Sequence, residues 1–147
     1  MSGIPSFRSG FNYTIVVAND VANVLAGEQR ANGTAVKPTK LDPHTNGLLG
    51  LDRAAYATPA RGYFGNLGRN VQPGFGINNW DIGINKNFAI RRLGEASRLQ
   101  IRAEWCNFFN HTQFNNPSAT VNVTSNFGLV NSTRDPRILQ VAGKFYW

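Results

Sequence analysis

The sequence predicts an all-β chain: antiparallel amphipathic strands of a transmembrane β-barrel, about four strands and so an incomplete barrel, joined by long irregular outer loops. Three observations lead there. Residues 7–17, 80–90, 99–109 and 138–147 alternate apolar and polar side chains, and a period of two belongs to strands. Each segment is close to the roughly 9 to 11 residues that a tilted strand needs to cross a bilayer. The connections run long, short, long, over 18–79, Arg91 to Arg98 and 110–137, as in barrels with short periplasmic turns and long external loops.

Composition removes other classes. The 147 residues are 41% hydrophobic and 16% charged, and no run approaches the roughly 20 apolar residues of a spanning helix. The net charge of +7 comes from scattered Lys and Arg residues. Only Arg91, Arg92 and Arg98 form a tight group, in a short turn with no groove-reading helix, so no nucleic-acid partner is expected. Cys106 is the single cysteine, which leaves no internal disulfide and no cysteine-built zinc site; it is expected to pack as a small apolar side chain. The opening Met-Ser-Gly-Ile-Pro has neither part of a secretory signal. A barrel must be exported, so its true amino terminus is expected upstream.

The first strand places Phe7, Phe11, Tyr13, Ile15 and Val17 on the odd parity, against Arg8, Asn12 and Thr14, and stops at Asn19-Asp20. Residues 18–79 are rich in Gly, Asn, Pro and Ala, with turn pairs at Asn32-Gly33 and Asn46-Gly47. Such a length without regular structure reads as a functional loop or as disorder. Leu51 to Ala57 can form one or two helical turns before Pro59. In Gly62-Tyr-Phe-Gly-Asn-Leu-Gly68 a glycine stands at every third position. The spacing is wrong for a phosphate-cradling loop, and tight turns are the expected use.

The second strand sets Trp80, Ile82, Ile84, Phe88 and Ile90 against Asp81, Gly83, Asn85, Asn87 and Ala89, with Lys86 interrupting the apolar face. The third sets Leu99, Ile101, Ala103, Trp105 and Phe109 against Gln100, Arg102, Glu104 and Cys106. Together they make a hairpin with one apolar and one polar face. Asn85, Asn87, Gln100, Arg102 and Glu104 are the candidates to face a barrel lumen. In the last strand Leu139, Val141, Phe145 and Trp147 share one parity, Gly143 fills their remaining slot, and Gln140 and Lys144 take the other. That segment alone fits an edge strand of a soluble sheet as well as a barrel strand. Trp80, Trp105, Phe108 and Phe109 fall toward one end of the strands and Tyr146 and Trp147 toward the other, the placement of two interfacial aromatic girdles.

No catalytic, metal or cofactor site is expected. Asp81 and Glu104 on the polar face suit a ladder with Arg102 better than acid–base chemistry, and His44 and His111 lie in separate loops without ligand-spaced partners. Asn-x-Ser/Thr sequons such as Asn122-Val-Thr124 reflect loop composition.

Four ordered blocks carry a resemblance. Phe64-Gly-Asn-Leu-Gly-Arg-Asn70, Asn78 to Phe88, Arg102-Ala-Glu-Trp-Cys-Asn-Phe-Phe-Asn-His111, and Asp135-Pro-Arg137 with its closing strand resemble the carboxyl-terminal end of TonB-dependent outer-membrane receptors. The similarity is strongest to the Oar-like subgroup, whose members carry a carboxypeptidase-regulatory-like domain, and covers residues 60–147 better than the first sixty. It implies that 1–147 is the carboxyl-terminal part of one β-barrel domain in the bacterial outer membrane, acting not as an enzyme but in uptake of a ligand. It implies outer-membrane lipid as a partner, and that Leu139, Val141, Phe145 and Trp147 are read by the barrel-assembly machinery. Such receptors also have a plug, a TonB-contacting amino-terminal segment and about 22 strands. This chain shows none of these, so the rest of the barrel and the plug are expected to be missing from it, with TonB reached only through the missing amino-terminal part. Two alternatives stand beside this one: an oligomeric barrel to which several chains each lend four strands, and a soluble β-sheet binding or adhesion module. The module needs the 18–79 segment to be ordered and to contribute buried apolar groups such as Leu48, Leu49, Leu51 and Tyr63.

Overall fold

Period-two alternation fixes which side chains share a face but leaves open which strands pair. The computed structural model describes residues 1–93 and 97–147 and settles the pairing. Its strands are β1 (Ser2–Arg8), β2 (Asn12–Tyr13), β3 (Val16–Val17), β4 (Gln29–Arg30), β5 (Asn32–Gly33), β6 (Tyr56–Ala57), β7 (Gln72–Pro73), β8 (Ile77–Ala89), β9 (Arg98–Cys106) and β10 (Ile138–Tyr146). Two 3-10 turns complete the described structure, which contains no α-helix. The chain divides into two compact units.

The first unit, Met1–Arg8, Ile77–Gln113 and Arg134–Trp147, holds an antiparallel four-stranded sheet in the order β1-β8-β9-β10. Register carries the alternation across it. Ile82 faces Trp105 and Ile84 faces Ala103, and these in turn face Leu139 and Val141. The apolar residues therefore form one continuous surface, interrupted by Lys86 opposite Ile101. That surface is open: Val141 is 64% and Leu139 55% exposed. Both long connections leave the same end of the sheet, where Arg8 meets Ile77 and Cys106 meets Ile138. The short connection closes the opposite end, where Ala89 meets Arg98. It starts as a 3-10 turn over Arg91–Leu93; the rest of the expected turn lies partly outside the described residues.

Three expected strands are found, with β8 reaching back to Ile77 and β9 ending at Cys106. The first is corrected: β1 is Ser2–Arg8, not 7–17. Proline lacks the N–H that an inner strand needs and is tolerated at an edge, and Pro5 sits on an edge strand opposite Trp80. The alternation beyond Arg8 is real but serves another core. Ile15 and Val17 are both 0% exposed within the second unit. A side chain at Gly10 would meet the Gly74 carbonyl oxygen at 2.1 Å, so only glycine allows the chain to pass there.

The second unit, Ser9–Gly76 and Phe114–Thr133, contains the segment expected to be irregular. Its regular structure is three two-residue ladders, β2 with β7, β3 with β4 and β5 with β6, around a shared core. Ile15, Val17, Ala31, Leu51, Tyr56, Val121 and Phe127 pack together there, with the Tyr56 and Phe127 rings edge-on at 5.7 Å. The helical turn expected over Leu51 to Ala57 is a single 3-10 turn, Arg53–Ala55, capped by Asp52, whose carboxylate accepts the Ala54 N–H at 3.0 Å. Buried polar groups are tied in. The Tyr56 hydroxyl donates to Gln72 Oε1 at 2.7 Å, while Gln29 Oε1 accepts the Ala22 N–H at 3.0 Å and its amide reaches Asp20. The glycine-spaced stretch is structural: Gly62 takes a left-handed φ of 81°, and a side chain at Gly65 would collide with the Arg30 carbonyl oxygen at 2.0 Å.

Of the groups the soluble module would bury, Leu51 is buried and Leu48, Leu49 and Tyr63 are exposed; the long segment itself folds around a core of its own.

Candidate functional site

The polar parity of the sheet gathers the expected residues. Asn85 stands opposite Arg102, Asn87 opposite Gln100, and Gly83 opposite Glu104; Gln140 and Lys144 continue the row on β10 opposite Glu104 and Gln100. All five candidates thus lie on one face, the one turned away from Ile82, Ile84, Leu139 and Val141. Two residues apart on β9, the Arg102 guanidinium donates to a Glu104 carboxylate oxygen. Both side chains are exposed, so this pair adds little stability and chiefly keeps donors and acceptors arrayed along the face.

At the long-connection end, the same face opens into a hollow of about 340 Å³. Its lining includes Ser6 and Arg8 from β1, Asn79 and Asp81 from β8, and Arg134 and Asp135 from the returning chain. A lock of hydrogen bonds shapes it. Asp81 Oδ1 accepts the Asn107 N–H at 3.0 Å and the Asn79 side-chain amide at 3.0 Å. Asn107, in a left-handed φ of 53°, donates to the His111 carbonyl at 2.9 Å and accepts the His111 N–H at 3.0 Å. Gln113 accepts the Asn78 N–H at 3.0 Å and returns its own amide to the Asn78 carbonyl. This lock explains why Asn107, Phe108, Phe109, Asn110 and His111 stand together: Asn107 turns the chain while Phe109 packs edge-on against Trp80 at 5.8 Å. Trp80 in turn meets Phe7 at 5.6 Å. At the opposite end the Phe145 and Trp147 rings stack at 5.9 Å, and Trp147 is 89% exposed.

Cys106 is corrected: it is exposed and lines the polar hollow. Its even parity, shared with Arg102 and Glu104, puts it there. Arg8, Asn107, Gln113, Arg134 and Asp135 are site residues that sequence reasoning missed. Arg8 shares its parity with Ser6, and the spacing of Asn107 and His111 matches a side chain closing a turn on its own backbone.

Asp81 accepts from Asn79 and Asn107, and Glu104 stands in register with Gly83. Among the described residues no group of His, Cys, Asp and Glu is placed to hold a metal ion. His44 packs on Phe114 at 4.7 Å in the second unit, and His111 stacks on Phe109 at 5.8 Å in the first.

The family model for the outer membrane beta barrel domain matches residues 1–140. The chain belongs to the outer membrane beta barrel family. No curated protein and no solved structure matches it. As an outer membrane beta barrel protein it resides in the bacterial outer membrane. Among the described residues no helix is long and apolar enough to cross a membrane, and members of this class cross with strands.

Proposed function

We propose that this outer membrane beta barrel protein is the carboxyl-terminal barrel segment of a TonB-dependent receptor of the Oar-like type, taking part in energy-coupled uptake of a ligand. The observation that carries the reading is the pair of open edges. The sheet order leaves β1 and β10 each with one partner, and in hydrocarbon an unpaired edge is costly enough that barrels close. Further strands therefore belong beside both. The ordered blocks that resemble these receptors support the assignment to that type, and the polar row and hollow suit a hydrophilic ligand held by several hydrogen bonds. In this reading the apolar face meets outer-membrane lipid, the assembly machinery reads Leu139, Val141, Phe145 and Trp147, and the plug and TonB contact lie outside these 147 residues.

The reading frame upstream of Met1 tests it. An in-frame continuation encoding a plug and more strands is expected. A stop codon directly upstream overturns the receptor assignment. A second reading then applies, because the same two edges can pair between copies into an oligomeric barrel. Cross-linking of the chain in detergent yields a closed oligomer in that case and monomers otherwise.

A further inference from the structure

The short-connection end of the sheet carries a charge pattern that Asn85, Asn87, Gln100, Arg102 and Glu104 do not explain. Arg91 and Arg92 stand exposed in the 3-10 turn. Arg98 and Lys144 belong to the same end, because Arg98 is in register with both Ala89 and Tyr146. The Arg98 guanidinium lies 4.4 Å and the Lys144 ammonium 4.7 Å from the centre of the Tyr146 ring, so one aromatic ring gathers two cations that would otherwise repel. Among the described residues the only ion pair joins Arg102 and Glu104. By sequence, residues 91–98 carry Arg91, Arg92 and Arg98 against one acidic residue, Glu95. On the apolar face of the same end the Phe145 and Trp147 rings stack, and aromatic side chains of this kind settle at the level of lipid headgroups.

In this reading the rings mark where hydrocarbon ends: Arg91 and Arg92 follow β8 beyond that level, Arg98 is level with Tyr146, and Lys144 lies one residue inward of Phe145. We propose that this end is a docking surface for anionic phospholipid headgroups of the leaflet it enters, with Arg91 and Arg92 making the phosphate contacts and Arg98 and Lys144 strengthening the field behind them. Guanidinium groups suit the task because their forked donors match phosphate oxygens. The proposal rests on the sheet inserting across the bilayer as a barrel segment, so insertion is measured separately from lipid preference.

The test uses the full chain with vesicles of phosphatidylcholine, alone or mixed with phosphatidylglycerol, and reads bound protein by flotation at low and high salt. Heat-modifiable migration reports insertion in the same samples. Binding is expected to strengthen with phosphatidylglycerol and to weaken with salt. Each surface cation near an anionic leaflet contributes roughly fivefold, so Arg91→Gln with Arg92→Gln should lose about 25-fold of the phosphatidylglycerol-dependent affinity. The charge-matched pair Lys37→Gln with Arg53→Gln, in the second unit, should lose little. Three results overturn the proposal: no preference for phosphatidylglycerol, equal losses in the two double variants, or full competition by soluble glycerol phosphate. Failure of every protein to insert overturns instead the premise that this sheet crosses the bilayer without further strands.

Discussion

The backbone N–H of Asn107 donates to the carboxylate of Asp81 at 3.0 Å, fastening the residue that follows β9 to the strand beside it. Asn107 also holds both backbone groups of His111 that face it and adopts a left-handed φ. Asn107→Ala removes two hydrogen bonds, each worth about 1 kcal/mol, and adds strain of about 1 to 2 kcal/mol at a φ that only glycine and asparagine adopt readily. A loss of roughly 2 to 4 kcal/mol is expected in urea unfolding in detergent, and Asn107→Gly should recover the strain portion but not the rest.

Val141 and Gln140 are neighbours with opposite parities, and that contrast separates the two faces. Val141→Lys places an ammonium on the apolar surface opposite Ala103, at a cost of roughly 2 to 4 kcal/mol near a bilayer midplane. Gln140→Lys, opposite Glu104, should insert as wild type does. The measurement is the heat-modifiable, membrane-inserted fraction of each. Equal insertion of Val141→Lys would remove the lipid-facing role of this surface.

Trp147 is nearly fully exposed, so its truncation exposes no core. If the closing strand is read during assembly, Trp147→Ala should lower the amount of protein in the outer membrane without changing the unfolding midpoint of the inserted fraction. A lowered midpoint with unchanged yield would make the residue a packing element only.

Gly65 tests whether the second unit is a folded body. Its hydrogen-bonded neighbours bring it against Arg30 and Ala31, with Leu67 N–H donating to the Ala31 carbonyl at 3.2 Å and Asn66 N–H to Asn32 Oδ1 at 2.9 Å. Gly65→Ala forces a carbon into backbone and should open proteolytic sites throughout 9–76. Gly27→Ala, where no atom stands within 4 Å, should not.

Alkaline pH should loosen the same unit. Burial, and then the charge of Tyr56, pushes the Tyr13 phenol well above its ordinary value. Burial, and then the Asp52 carboxylate, raises Tyr56. Folding therefore favours the neutral phenols: their contribution is complete below the unfolded value of about 10 and is lost as pH rises from there through the folded values. Tyrosinate absorbance and protease sensitivity should rise together above about pH 10, and Tyr13→Phe should shift the loss to higher pH. Tyrosinate forming without any gain in protease sensitivity would contradict this coupling.

The paired faces of β8, β9 and β10 were legible because each strand alternates for nine residues or more, long enough for period two to stand clear. Asn85, Asn87, Gln100, Arg102 and Glu104 follow from the same rule. β1 was not legible, since Gly3 and Pro5 read as strand breakers and only the edge position excuses them. From Phe7 to Val17 the alternation runs over the end of β1, β2 and β3 and could not say that Ile15 and Val17 serve a different core from Phe7. The second unit escaped notice for a related reason. Its ladders are two residues long, and its order rests on single bonds such as Tyr56 to Gln72 and Asn66 to Asn32, whose partners leave no period to read. The hollow's Arg8 and Arg134 likewise meet only through the fold.

The second unit is spliced from two stretches with the β8–β9 hairpin between them. Val16 bridges to Thr120, and Ala18 donates to the Asn122 side chain across 104 residues at 3.0 Å. Loop closure of that span must precede the contacts that reward it. The core around Ile15 and Val17 draws on Ala31, Leu51 and Tyr56 from the first stretch and is complete only once Val121 and Phe127 join it. The second unit therefore completes its core only when residues 114–133 join residues 9–76, however early the first stretch is made.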